Sequence, residues 1–304
     1  MIEISHPELQ LQIGGPAGAA WVSGIPVLDG DSAENLFPFA SLIRREGPFS
    51  LYRQQEFLIG VAQALDCADL VESAFQLYQD LFQVLGAKHL CRIWNYLPDI
   101  NEPNSDGLEQ YRAFCRGRAM AFESHFGRGF ERVLPAASAV GTDSNRLIVA
   151  FAAHDTHPHH YENPLQTPAY QYPLEFGPRP PSFARASVVE EQDRRHVFIS
   201  GTAAIRDHQS IAPNETEAQL LATLENLKVI MTLCGLPLRP GASATMQRNV
   251  KVYIRHASDL GLVAGYLSNH LLGDGDKVSY LRSDICRSDL NVEVEITVLN
   301  AQRL

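Results

Sequence analysis

Two glutamates near the C-terminus are the residues whose spacing most invites chemistry. The segment Asn291-Val292-Glu293-Val294-Glu295-Ile296-Thr297-Val298 alternates apolar and polar residues. Successive side chains of a strand point to opposite faces, so Val292, Val294, Ile296 and Val298 share one face and Glu293, Glu295 and Thr297 the other. Two accounts fit. Either both carboxylates face water, or something covers that face and one glutamate becomes a buried carboxyl with a raised pKa, able to deliver a proton. Cys286 lies seven residues before Glu293 and by default is an inert core thiol.

Arginine supplies the second kind of chemistry. Tyr111, Phe114, Arg118, Ala121, Phe122 and His125 recur at helical spacing and share one face, which turns Arg118 inward among aromatics. A buried guanidinium needs a partner, so Arg118 belongs either to an internal salt bridge or to a clamp for a ligand carboxylate. The stretch from Tyr170 through Tyr172, Arg179 and Arg185 sets two more arginines among prolines and rings. It either walls a site for a flat anion or packs as a connector, and its prolines limit its freedom in both cases. Ser200-Gly201-Thr202 offers backbone N–H groups, a weak anion signal. The run His154-Asp155-Thr156-His157-Pro158-His159-His160 lacks a helical i, i+4 ligand frame. It is expected to be an exposed turn with solvated histidines, and no metal is expected. Walker, GxSxG and GxGxxG signatures are missing from the sequence.

The elements that must position these residues fall into two halves of similar grammar. Val71, Phe75, Tyr78, Phe82 and Leu85 form one helical stripe closed by Gly86, followed by a strand at 90–96, a helix near 108–126 and a strand at 147–153. Leu220, Leu224, Leu227, Met231 and Cys234 repeat the stripe before Gly235, with Asn214 and Glu217 as an N-cap pair. A strand at 249–255, a helix near 258–271 and a last strand at 290–299 follow. Each half opens with a Ser-Gly turn, Val22-Ser23-Gly24 and Ile199-Ser200-Gly201. The expected fold class is α+β, two units that each lay two helices on one sheet. The expected units are 1–153 and 187–304, joined by an aperiodic loop at 154–186 that contributes to the site.

Composition bounds the function. The 304 residues carry 25 Lys+Arg against 35 Asp+Glu, a net charge of −10, which disfavours nucleic acid and anionic membranes as partners. No run approaches the length of a membrane span, and the start MIEISHPELQLQIGG lacks the pattern of a signal peptide. Five scattered cysteines suit reduced thiols in the cytoplasm.

Several stretches taken together resemble the chorismatase family. They are Arg92-Ile93-Trp94-Asn95-Tyr96, Tyr111-Arg112 through Gly117-Arg118-Ala119, Gly141-Thr142, Glu162-Asn163-Pro164, the block 170–186, Ile199 through Ala203, and Cys286 with Glu293. From about residue 185 onward the chain also resembles the Rid/YjgF fold. The resemblance implies removal of the enolpyruvyl group of chorismate, with Glu293 as the acid that protonates the enol-ether methylene. It makes Arg118, Arg179 and Arg185 candidates to clamp the two substrate carboxylates, with Tyr111, Tyr172 and the Gly201-Thr202 turn around the ring. Family members with cysteine at the place of Cys286 make 3-hydroxybenzoate, some also 4-hydroxybenzoate, through displacement of pyruvate by the 4-hydroxyl. Those with alanine there hydrolyse chorismate to a dihydroxycyclohexadiene carboxylate. No cofactor is implied, and a monomer is preferred over a trimer. Enamine or imine deamination of the Rid type, and non-catalytic binding of a small aromatic acid, are the competing readings.

Overall fold

A computed structural model describes residues 6–15, 18–64, 67, 69–240 and 246–302, so the first five residues of the start read above lie outside the described residues. Six strands come first: β1 (Glu8–Ile13), β2 (Ala19–Gly30), β3 (Ala33–Phe37), β4 (Ser41–Glu46), β5 (Phe49–Gln54) and β6 (Phe57–Ala64). Helix α1 (Leu70–Leu85), β7 (His89–Pro98), α2 (Gln110–Phe126), β8 (Ala136–Thr142) and β9 (Leu147–His154) complete the first half. The short β10 (His159–Tyr161) and β11 (Ala186–Glu190) bracket the connecting segment. Then come β12 (Arg194–Ala203), the two-residue β13 (Ile205–Arg206) and β14 (Gln209–Ser210), and α3 (Thr216–Leu233). The chain closes with β15 (Arg248–Ile254), α4 (Leu260–His270), β16 (Lys277–Arg282) and β17 (Val292–Gln302).

The two halves share one topology. One sheet contains the order β5-β6-β9-β7-β8, the other the order β11-β12-β17-β15-β16. In each of these five-strand runs one parallel pair, β7 with β8 and β15 with β16, is crossed by one helix, and the last strand of the half inserts antiparallel at the centre. This is the duplicated α+β plan that the repeated stripes predict.

Each sheet has a helix face and a sheet face. The α1 stripe Leu70, Ala74, Leu77, Tyr78, Leu81 and Leu85 packs with Ile93, Val149 and Phe151. The α3 stripe Leu220, Leu224, Leu227 and Met231 packs with Val292, Val294 and Ile296. The opposite faces meet each other, with Trp94, Tyr96, Ala150 and Ile148 of one sheet against Phe198, Tyr253 and Leu281 of the other. The result is four layers, helix, sheet, sheet, helix. The face of β17 that carries Glu293 and Glu295 is therefore covered, which decides between the two accounts of that strand.

Three local expectations are corrected. Strands β1–β3 join the C-terminal sheet through β2 and β16, so sheet membership does not divide at residue 153. Both Ser-Gly pairs lie inside strands, not in turns: Gly24, at φ +73, and Gly201 sit at register shifts where the strand takes two extra residues and one, respectively. The N-cap of α3 is Glu215 without a side-chain cap bond, because Asn214 takes a left-handed conformation and hands its N–H to the Asp289 carbonyl.

Candidate active site

A cavity of about 340 Å³ opens where β8, β12 and β17 converge beneath the start of α2 and the connecting segment. Its floor is Ser138, Gly201 and Glu293, and its walls carry Tyr111, Arg118, Tyr172, Phe176, Phe183 and Arg185. Cys286 and Arg287, from the loop between β16 and β17, close one side.

Glu293 is buried, 4% exposed. Removing a carboxylate from water penalises its charged form, and the neighbouring Glu295 repels a second negative charge. Arg92 and Arg185 oppose these effects without cancelling them, and the acid is pushed up to about 8. Gly201 makes the close approach possible. A Cβ there would fall on the Glu293 carboxyl, 2.6 Å from Cδ and 3.2 Å from Ser138 Oγ. The Gly201 N–H instead donates to Ser138 Oγ at 3.1 Å. Cys286 is held as a thiol: burial first, then Glu293, push it up to about 12 against the pull of Arg287. A neutral thiol beside a neutral carboxyl suits proton delivery and exclusion of water, not nucleophilic attack.

The arginines are the second feature. Arg118 is 2% exposed and lies over the rings of Tyr78 and Phe114, with centroids 5.6 and 5.8 Å from Cζ. Its Nη2 donates to the Ser182 carbonyl, its Nε has no partner, and among the described residues it makes no ion pair. The internal salt bridge is thus not what holds it. Arg185 donates to the Thr167 carbonyl at 3.1 Å and to Tyr172 Oη at 2.9 Å. Its nearest carboxylate is Glu162 at 3.9 Å, and burial pushes that acid up to about 7 against the pull of Arg185. Near neutrality Arg185 is therefore only half countered. Arg287, which sequence reasoning missed, lies 4.3 Å from the ring centroid of Phe176 and 5.4 Å from that of Tyr172, with a buried Nη2 that lacks a partner. Its adjacency to Cys286 was the one available signal. Ser138, in an Ala-Ala-Ser-Ala run, offered none.

Two expected site residues fall elsewhere. Arg179 pairs with Glu123 at 2.8 Å in a separate hollow beside Tyr170 and Pro180, because the connecting segment turns it outward. Thr202 points its hydroxyl back to the Ser200 carbonyl at 2.9 Å, since the bulge at Ser200-Gly201 gives the cavity to Gly201. The remaining seven, Glu293, Cys286, Arg118, Tyr111, Tyr172, Arg185 and Gly201, line one cavity.

The histidine run is only in part the solvated turn expected of it: Asp155, Thr156, His157 and His159 are exposed, but His154 and His160 are not. His154 is fully buried and lies 3.0 Å from Glu191, packed edge-on against Phe57, while His160 bonds Ser187 at 2.9 Å. Glu56, His154 and Glu191 bring three ligand atoms within 4.8 Å of one another. The Thr156 N–H, however, donates to His154 Nδ1 at 3.0 Å, which puts the ring proton on Nε2, the atom that would have to bind a cation. The cluster is a hydrogen-bonded clasp between the two sheets.

Comparison with known proteins finds relatives in one family. A family model described as "Chorismatase FkbO/Hyg5-like, N-terminal" matches residues 42–153. A 3-hydroxybenzoate synthase from Streptomyces hygroscopicus is 31% identical over 98% of this chain and 87% of its own. A chorismatase from Streptomyces rapamycinicus is 34% identical over 80% of this chain and 75% of its own. A crystal structure of a chorismatase superimposes with a TM-score of 0.77 at 26% identity, covering 98% of this chain and 95% of that one.

Proposed function

The chain belongs to the chorismatase family, and from that premise we propose that it converts chorismate to 3-hydroxybenzoate and pyruvate. The observation that carries the reading is one cavity holding a buried, proton-bearing Glu293 and guanidinium groups without full counter-charges. Chorismate is a dianion. Two carboxylates entering this cavity supply the partners that Arg118, Arg185 and Arg287 lack, and Arg287 takes the place expected of Arg179.

The steps follow from the residues. Glu293 gives its proton to the methylene carbon of the enol ether, producing an oxocarbenium-like carbon and a good leaving group. The ring C–O bond breaks with its electrons going to the departing pyruvate, while the 4-hydroxyl oxygen bonds to the vacated ring carbon. The hydroxyl proton returns to the Glu293 carboxylate. The strained three-membered ring then opens at one C–O bond, its oxygen takes up a proton, and the carbon that bears it releases one, which makes the ring aromatic with no net exchange of protons. No water is consumed, so excluding it is the task of the walls and of Cys286 in particular.

The decisive test is product identification by chromatography and mass spectrometry after incubation of purified protein with chorismate. Equimolar pyruvate and hydroxybenzoate support the proposal, and chorismate bound without turnover overturns it. Cys286→Ala is expected to divert product toward the dihydroxycyclohexadiene carboxylate, because the smaller side chain leaves room for a water at the reacting carbon. Unchanged hydroxybenzoate from that variant would remove Cys286 from its role.

Two further expectations follow. The active form carries the proton on Glu293, so kcat/KM holds below about pH 8 and falls tenfold per unit above it. A pH–rate profile checks this, and a fall on the acid side of that value would contradict the sign. Arg287→Ala is expected to raise KM by about 10- to 100-fold through loss of a charge-assisted bond, whereas Arg179→Ala leaves KM unchanged. Steady-state kinetics on the pair separates the two arginines.

Among the described residues no helix is long and apolar enough to cross a membrane. Among the described residues Cys91, Cys115, Cys234 and Cys286 carry reduced thiols, which supports a reducing, cytoplasmic setting. The internal duplication covers the inner face of each sheet with the other, which supports a monomer as the working unit.

A further inference from the structure

Strand β17 carries a second buried glutamate that the proposed reaction does not use. Glu295 lies on the same face as Glu293, about 7 Å along the strand at two residues' rise, and is 1% exposed. It is held from three sides. Arg92 Nη2 of β7 meets Oε2 at 2.7 Å and the Trp94 indole N–H donates to Oε1 at 3.0 Å. Lys251 Nζ of β15 reaches Oε1 at 2.7 Å and, on its other side, Glu34 of β3 at 2.7 Å. The Ser138 hydroxyl of β8 donates to Oε2. Two cations and two carboxylates from four strands thus close a charge-balanced cluster between the sheets, immediately behind the cavity floor.

We propose that Glu295 is a positioning residue for the proton donor: a fixed negative charge, locked by Arg92 and Lys251, that keeps the carboxyl at Glu293 in its proton-bearing form. This rests on the reading of Glu293 as the acid. Ser138 ties the two together, because its hydroxyl bonds Glu295, accepts the Gly201 N–H and lines the cavity. The direction of each acid agrees. Burial works against an ionised Glu295, but Lys251 and Arg92 outweigh it and hold the acid down at about 2, so the charge is permanent. Glu34 is raised, by burial first, and is the weaker of the two anions. The other groups facing Glu293 are Arg92 from β7, Arg185 ahead of β11 and Cys286 ahead of β17; Tyr253 of β15 lies opposite it in register. Of these, only Glu295 brings a permanent negative charge.

The test is the pH profile of kcat/KM, paired with an infrared titration of the Glu293 carboxyl band, identified by its loss in Glu293→Gln. Glu295→Gln leaves the cations of the cluster in excess, so the alkaline midpoint moves down by at least one pH unit. Turnover measured two units above the new midpoint then falls about tenfold more than it does below that midpoint. Glu295→Asp restores the charge and brings the midpoint back toward the native value. Glu295→Gln combined with Arg92→Met preserves charge balance and the Lys251–Glu34 pair, which protects the fold, and it moves the midpoint down by less than the single variant. A midpoint unmoved in Glu295→Gln, with kcat lowered equally at every pH, would overturn the proposal and leave Glu295 a structural ion. The infrared band reads the proton without turnover. If the native protein forms no product yet the band shifts as stated, the reaction fails and the positioning role stands.

Discussion

Glu293→Gln lowers kcat by about 10²- to 10⁴-fold, the usual contribution of a positioned general acid, while the fold and substrate binding persist. The amide has the shape of the neutral carboxyl that the cavity already favours, so nothing nearby loses a charge partner. What it lacks is an acidic proton to give the methylene carbon. The expected signature is a kcat close to background with KM little changed. A variant that kept more than a tenth of native turnover would remove Glu293 from the reaction. The same substitution has a stability consequence of definite sign. The folded-state pKa of Glu293 lies at about 8 against an ordinary 4.5. The stability that its neutral form contributes is whole below 4.5 and is lost as pH rises through 8. Gln cannot ionise, so Tm of the variant gains on that of the native protein as pH rises from 4.5 to 8, and the difference levels off above 8. Calorimetry at pH 6 and pH 9 checks it.

Gly201→Ala is the second large effect, with kcat reduced by about 10²-fold, as expected when a reacting group is displaced by about 1 Å. The added methyl would occupy the space of the Glu293 carboxyl, so either the acid or β12 must move. The shift also breaks the approach of the Gly201 N–H to Ser138. Because the atoms in the way are the far end of the Glu293 side chain, the main expected loss is in kcat, with stability lowered by about 1–3 kcal/mol, as is usual for one methyl too many in a packed site. Full activity in Gly201→Ala would mean that the acid works from another position.

Much of this protein is written in local periodicity. The stripe at 220–234 is the buried face of α3, and the inward turn of Arg118 on α2 is real. The stripe at 71–85 is the edge of the buried face of α1, which centres on Leu70, Ala74, Leu77 and Leu81 with Val71 and Phe75 half-buried beside it. The alternation of 291–298 places Glu293 and Glu295 on one face of β17, as the side-chain period of two demands. The strands before residue 64 are less legible. Strand β1 alternates over only six residues, and in β2 the alternation is blurred at Gly24, where the pairing with β1 skips two residues.

Periodicity says which side chains share a face, and in this chain that information extends to the two-unit plan, the inward arginine and the paired glutamates. It cannot say what lies against that face. Whether Glu293 is wet or dry depends on a sheet whose strands lie some two hundred residues away; the Arg92–Glu295 bond alone spans 203 positions. The exchange of Arg179 for Arg287, the loss of Thr202 to its own backbone and the crossing of β1–β3 to the far sheet are of the same kind. Burial, counter-charge and pKa are properties of neighbours brought together by folding, and only the packed sheets decide them.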